Sequence, residues 1–135
     1  MSVTRNEIVD LLSYIAAADH RGVPDRLDVQ VWLDAATDGQ WPSLDFAYRA
    51  VVRHRNNNPG VWLEPGHITQ QWRAVRAKAM ASFTIPMPPK EIDIEADPHG
   101  YVYWCRAEQA KYVDQYVRTW LTNGDTDDDR VAIEQ

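Results

Sequence analysis

A chain of 135 residues, 44% hydrophobic and 25% charged, is long enough to bury a core without disulfide or metal support. Its single cysteine, Cys105, excludes an intrachain disulfide and argues against a thiolate metal cluster. The net charge of −6 is unevenly spread: residues 1–90 carry +1 and residues 91–135 carry −7. No apolar run reads as a signal peptide or a membrane span, so the expected location is the cytoplasm, whether the chain is encoded by a cell or by a virus.

Thr4-Arg5-Asn6-Glu7 reads as a capping box that opens a first helix. Ile8, Leu11, Leu12 and Ile15 then form one apolar face at i, i+3, i+4 and i+7. The helix should stop near Asp19-His20-Arg21-Gly22, with Gly22 supplying the left-handed residue. Pro24-Asp25 opens a second helix whose face is Val29, Trp32, Leu33 and Ala36, ended by Asp38-Gly39. Ser43 caps a third, with Leu44, Ala47, Tyr48 and Val51 as its face and Asn56 to Gly60 as its stop. A fourth begins after Pro65-Gly66, with Ile68, Trp72, Val75 and Ala79 on one side and Arg73, Arg76 and Lys78 on the other.

Residues 83–99 change character. Four of the eight prolines fall here, among Glu91, Asp93, Glu95 and Asp97, which predicts an extended, acidic linker. Ile92 and Ile94 alternate with acids in the pattern of a short edge strand. A fifth helix over about 100–122 carries an aromatic stripe of Tyr112, Val113, Tyr116, Val117, Trp120 and Leu121, with Tyr101, Tyr103 and Trp104 in its first turn. Residues 123–135 read as an acidic, mobile tail. The fold class expected is all-α: a four-helix domain over 1–82, a proline-rich linker, then a fifth helix.

Chemistry-bearing motifs are missing. There is no phosphate-binding loop and no dinucleotide fingerprint. His20, His54, His67 and His99 stand in separate segments with no metal-ligand spacing, and His67, just inside the fourth helix, reads as a surface or capping residue. Asp127-Asp128-Asp129 lacks the glycine and closing glutamate of a calcium loop. Neither Ser13 nor Ser43 lies on a nucleophile-type turn. The expectation is a protein without enzymatic activity, cofactor or metal.

Two features offer binding. Tyr101, Trp104, Tyr112, Tyr116 and Trp120 either pack against the helical domain or dock into an apolar groove on a partner. Arg49, Arg53, Arg55, Arg73, Arg76 and Lys78 have only Glu64 as a neighbouring counter-charge in the sequence. They read either as solvated faces or as a patch for an acidic partner or nucleic acid. A helix-turn-helix would need a tighter turn than the stretch from Asn56 to Pro65.

Several spaced segments carry a resemblance. They are Ile8 to Leu12, Ala16 to Arg21, Asp28 to Trp32, Leu44 to His54, and Trp62-Leu63-Glu64-Pro65-Gly66-His67-Ile68 before Arg73 and Arg76. In that order they resemble the N-terminal helical domain of small phage helicase loaders, over residues of about 4–80. The resemblance implies a DNA-replication adaptor that binds a replicative helicase hexamer, restrains it and delivers it to an initiator. The expected mechanism has the aromatic C-terminal helix meet the helicase and leaves the basic face for an initiator or DNA. Two other expectations stand beside it: a DNA-binding regulator using the basic face, and a phage inhibitor of an unrelated host protein. The sequence leaves the oligomeric state open.

Overall fold

The computed structural model describes residues 3–123, so the expected tail and the Asp127–Asp129 run lie outside the described residues. The fold is all-α: five helices, α1 Arg5–Asp19, α2 Arg26–Asp38, α3 Leu44–Asn57, α4 Pro65–Ser82 and α5 Pro98–Asn123, with no strand among the described residues. The chain forms two compact units divided inside α4, between Ala74 and Val75. No described helix is long and apolar enough to cross a membrane.

In the first unit, helix starts are fixed by local chemistry. Thr4 Oγ1 accepts the Glu7 N–H at 3.3 Å, and Glu7 Oε1 accepts the Thr4 N–H at 2.9 Å. Asp25 and Asp28 close the same reciprocal box on α2, at 2.8 and 3.0 Å. Ser43 Oγ accepts the Phe46 N–H at 3.2 Å and opens α3. Proline at the first position of α4 and of α5 forgoes only an N–H that has no helical partner there.

Helix α1 stops differently from expectation. The left-handed residue is His20, at φ 54°, and not Gly22. The reversal must fall on the residue directly after the last helical one, and Gly22 comes two positions too late. The Arg21 N–H reaches back to the Ala16 carbonyl at 2.9 Å, completing a Schellman-type cap around a non-glycine residue. At the end of α2, Gly39 has an ordinary φ of −77° and Gln40 takes the positive one, 55°. Gly39 is needed for space: a Cβ there would lie 2.7 Å from Thr69 Oγ1 and 2.9 Å from the Ala35 carbonyl.

The core of this unit gathers Ile8, Leu11, Leu12 and Ile15 with Val29, Trp32 and Ala36, while α1 packs on both α2 and α3. The buried face of α3 is rotated from the expected one: Phe46, Ala47, Ala50, Val51 and His54 face inward, and Leu44 and Tyr48 are half-buried. The cause is the Phe46 ring, which meets Trp72 edge-on at 5.4 Å. Tyr48 instead meets Tyr14 at 5.3 Å. Trp41, which the sequence reading passed over, is fully buried, donates from Nε1 to Thr69 Oγ1 at 2.9 Å and packs on Trp32.

In the second unit, Val75, Ala79, Val117 and Trp120 are buried. Tyr112 joins α5 to the end of α4: its hydroxyl lies 2.7 Å from Ser82 Oγ, and its ring 5.4 Å from Phe83. Between the helices, residues 83–89 have no regular structure. The alternation at Ile92 and Ile94 yields turns where an edge strand was conceivable, because Asp93 Oδ1 accepts the N–H groups of Glu95 (3.0 Å) and Ala96 (3.2 Å). Asp97 then accepts the Gly100 N–H at 3.0 Å, which starts α5 two residues earlier than expected.

Candidate protein-docking site

The loop after α1 and the loop before α4 meet around one arginine. The Arg21 guanidinium lies 3.5 Å from the centre of the Trp62 ring, donates to the Leu63 carbonyl at 2.9 Å and pairs with Asp19 at 3.4 Å. Burial pushes its pKa below the usual arginine value. Its Nε–H is buried without an acceptor among the described residues. Asp19 also pairs with Arg55 from α3, so one carboxylate serves two guanidinium groups. The consequence is a fixed wall on which Trp62 stands with 61% of its surface exposed.

Trp62 borders two hollows of this unit. The larger, about 570 Å³, is lined by Leu12, Ile15, Arg21, Val23, Trp32 and Pro65 among others, with Asp28 and Glu64 as its carboxylates. The smaller, about 370 Å³, lies among Asp19, Arg55 and residues 58–63. An exposed tryptophan held flat by an arginine, beside a concave and mainly apolar surface, is the composition of a macromolecular contact point.

The outer side of α2 adds a second element. Leu27 is 73% exposed and Val31 56%, on the side opposite Val29, Trp32 and Ala36. Val23, 92% exposed, precedes them and itself lines the larger hollow. These side chains were legible as off-face positions in the helical period, though the sequence reading did not single them out.

Two histidines from distant segments also meet. His54, buried on α3, stacks on His67 with ring centres 4.4 Å apart, and its Nε2 lies 3.2 Å from the Val61 carbonyl. His67 Nδ1 accepts the Glu64 N–H at 2.9 Å, so His67 does cap the start of α4. The pair ties the middle and the C-terminal end of the 58–64 loop that presents Trp62. No group of three metal-ligating residues gathers among the described residues. Ser13 Oγ donates to the Val9 carbonyl at 2.9 Å, and Ser43 caps α3; both hydroxyls are engaged in local structure.

The other sequence candidates fall as follows. On α5, Trp120 is 3% exposed and belongs to the core of its unit, and Tyr112 and Tyr116 are half-buried, their rings 6.4 Å apart. Tyr101 and Trp104 are half-buried and stacked at 6.3 Å, and a hydrogen bond to Cys105 raises the Tyr101 pKa. The widely exposed ring of that helix is Tyr103. Of the six basic candidates, Arg55 is paired with Asp19, so Glu64 is not their sole counter-charge. Arg49 and Arg53 are half-buried, while Arg73, Arg76 and Lys78 are exposed. The six are divided between the units, with Arg76 and Lys78 in the second. Comparison with family models, curated proteins and solved structures finds no match to this chain.

Proposed function

We propose that the chain is a non-enzymatic adaptor of DNA replication that binds a replicative helicase hexamer and loads or restrains it. The observation that carries the reading is the exposed Trp62 clamped by Arg21 at the mouth of the larger hollow. Tryptophan and arginine dominate the energetic centres of protein interfaces, because a rigid ring or guanidinium buries much area with little entropy to lose. Four segments that carry the likeness to helicase loaders also supply this site: Leu12; Ala16, Asp19 and Arg21; Asp28 and Trp32; and Trp62 to Gly66.

The principal contact belongs to the first unit in this reading. The α5 stripe turns largely into its own unit, leaving Tyr101, Tyr103 and Trp104 as its contribution to any partner. Exposed Arg73 and Arg76 remain for an initiator or DNA, through contacts that weaken steeply with salt. Gel filtration of the chain with its cognate helicase should show co-elution at micromolar concentrations. Trp62→Ala should weaken the complex at least tenfold, about 1.4 kcal/mol. Absence of any complex with the unmodified chain would sink the reading.

A further inference from the structure

The outer face of α2 combines two properties that a solitary surface helix has no reason to hold together. Leu27, Val31, Asp34 and Asp38 follow one another at i, i+4, i+7 and i+11, a single stripe about 16 Å long at 1.5 Å per residue. All four are exposed. The stripe is apolar at its N-terminal end, where Val23 extends it toward the larger hollow, and acidic at its C-terminal end.

The acidic end sits where a helix least favours it. The C-terminus of a helix carries partial negative charge, so an unpaired carboxylate there is destabilising. The last turn of α2 has no basic residue. Among the described residues Asp38 pairs with none and Asp34 accepts only the Gln30 amide, at 2.7 Å, with Arg5 bound to the far side of Gln30. Asp19, at the same position on α1, shows the contrast: two guanidinium groups neutralise it. Across α2 and its cap, Asp25, Asp28, Asp34 and Asp38 stand against Arg26, and Glu64 adds a further negative charge at the hollow.

We propose that this stripe docks an amphipathic, lysine- or arginine-bearing helix of a partner protein. The inference rests on the adaptor reading and deepens it by naming the surface and the chemistry of what it receives. Leucine-like residues at i and i+4 of the incoming helix cover Leu27 and Val31, and its basic residues meet Asp34 and Asp38. Nucleic acid and anionic lipid are excluded as occupants, because both would bring negative charge to an acidic face.

The test uses the full chain with isotope-labelled methyl groups and two synthetic helical peptides. One carries leucines at i, i+4 and i+7 flanked by lysines; its twin has glutamates in place of the lysines. The lysine peptide should shift the methyl resonances of Val23, Leu27 and Val31. Its affinity should fall at least tenfold in Leu27→Ser/Val31→Ser and severalfold in Asp34→Asn/Asp38→Asn. All four positions are exposed, so circular dichroism should show both variants folded. Equal binding of the glutamate twin, shifts centred on other residues, or no binding at millimolar peptide would each overturn the proposal. So would a dimer of the chain that buries these methyl groups. If the helicase co-elutes while the lysine peptide fails, this surface is wrong and the adaptor reading stands; if both fail, both fall.

Discussion

One substitution, aspartate to asparagine, should have opposite effects at Asp19 and Asp38, although each is the last residue of its helix. Both carboxylates face the negative end of a helix, which costs each about 0.3–1 kcal/mol, and removing the charge recovers that amount. At Asp38 nothing is lost in exchange, because no described residue pairs with it. Asp38→Asn should therefore stabilise the first unit by about 0.3–1 kcal/mol. At Asp19 the same change weakens two partly buried ion pairs, to Arg21 and Arg55. Their side chains are screened enough that each pair is worth roughly 0.5–1 kcal/mol. The combined loss of about 1–2 kcal/mol exceeds the recovered term, leaving Asp19→Asn destabilised by about 1 kcal/mol.

Urea unfolding followed by circular dichroism reads both changes. With a slope of about 1–3 kcal/mol per molar, Asp38→Asn should raise the midpoint by a few tenths molar and Asp19→Asn should lower it by about 0.3–1 M. In 1 M salt, where the screening length shrinks to about 3 Å, both shifts should contract. Destabilisation at Asp38, or shifts of the same sign at both positions, would refute the reasoning.

Other expectations concern the ends of the helices and one half-buried phenol. His20→Gly should raise stability by roughly 0.5–1 kcal/mol in the same assay, since glycine removes the Cβ penalty of φ 54°. Gly39→Ala should lower it by at least about 1 kcal/mol, because the added methyl meets the Ala35 carbonyl as well as the movable Thr69 side chain. Burial, then Asp10 and Tyr14, raise the Tyr48 pKa above its ordinary 10.0. The stability this group provides is complete below pH of about 10 and declines as pH rises through its higher folded value. Tyr48→Phe should flatten that alkaline decline, read as unfolding midpoints between pH 9 and 11.

The starts of α1 and α3 were readable because each is a conversation among four neighbouring residues: Thr4 with Glu7 and Ser43 with Phe46 need nothing from the rest of the chain. Helices α4 and α5 begin on Pro65 and Pro98, each two residues ahead of the expected start, because proline is at home in a first helical turn. The buried side of α4 was also readable, since Ile68, Trp72, Val75 and Ala79 leave one choice of face. The α3 face was not: Leu44 and Tyr48 fit the helical period as well as Phe46 and Ala50 do, and only the Phe46–Trp72 contact decides between them. The candidate site was hidden for the same reason. Arg21 with Trp62, Asp19 with Arg55, and His54 with His67 are encounters between segments whose separation in sequence carries no local signal. His20 defeated the glycine rule because register outranked residue preference at that turn.

Calorimetric titration of the intact chain into its cognate replicative helicase hexamer puts the account to its most direct trial. Binding in the micromolar range or tighter by the unmodified protein, reduced tenfold or more by Trp62→Ala with the fold retained, is the predicted result. No detectable association, or association that Trp62→Ala leaves unchanged, would contradict it.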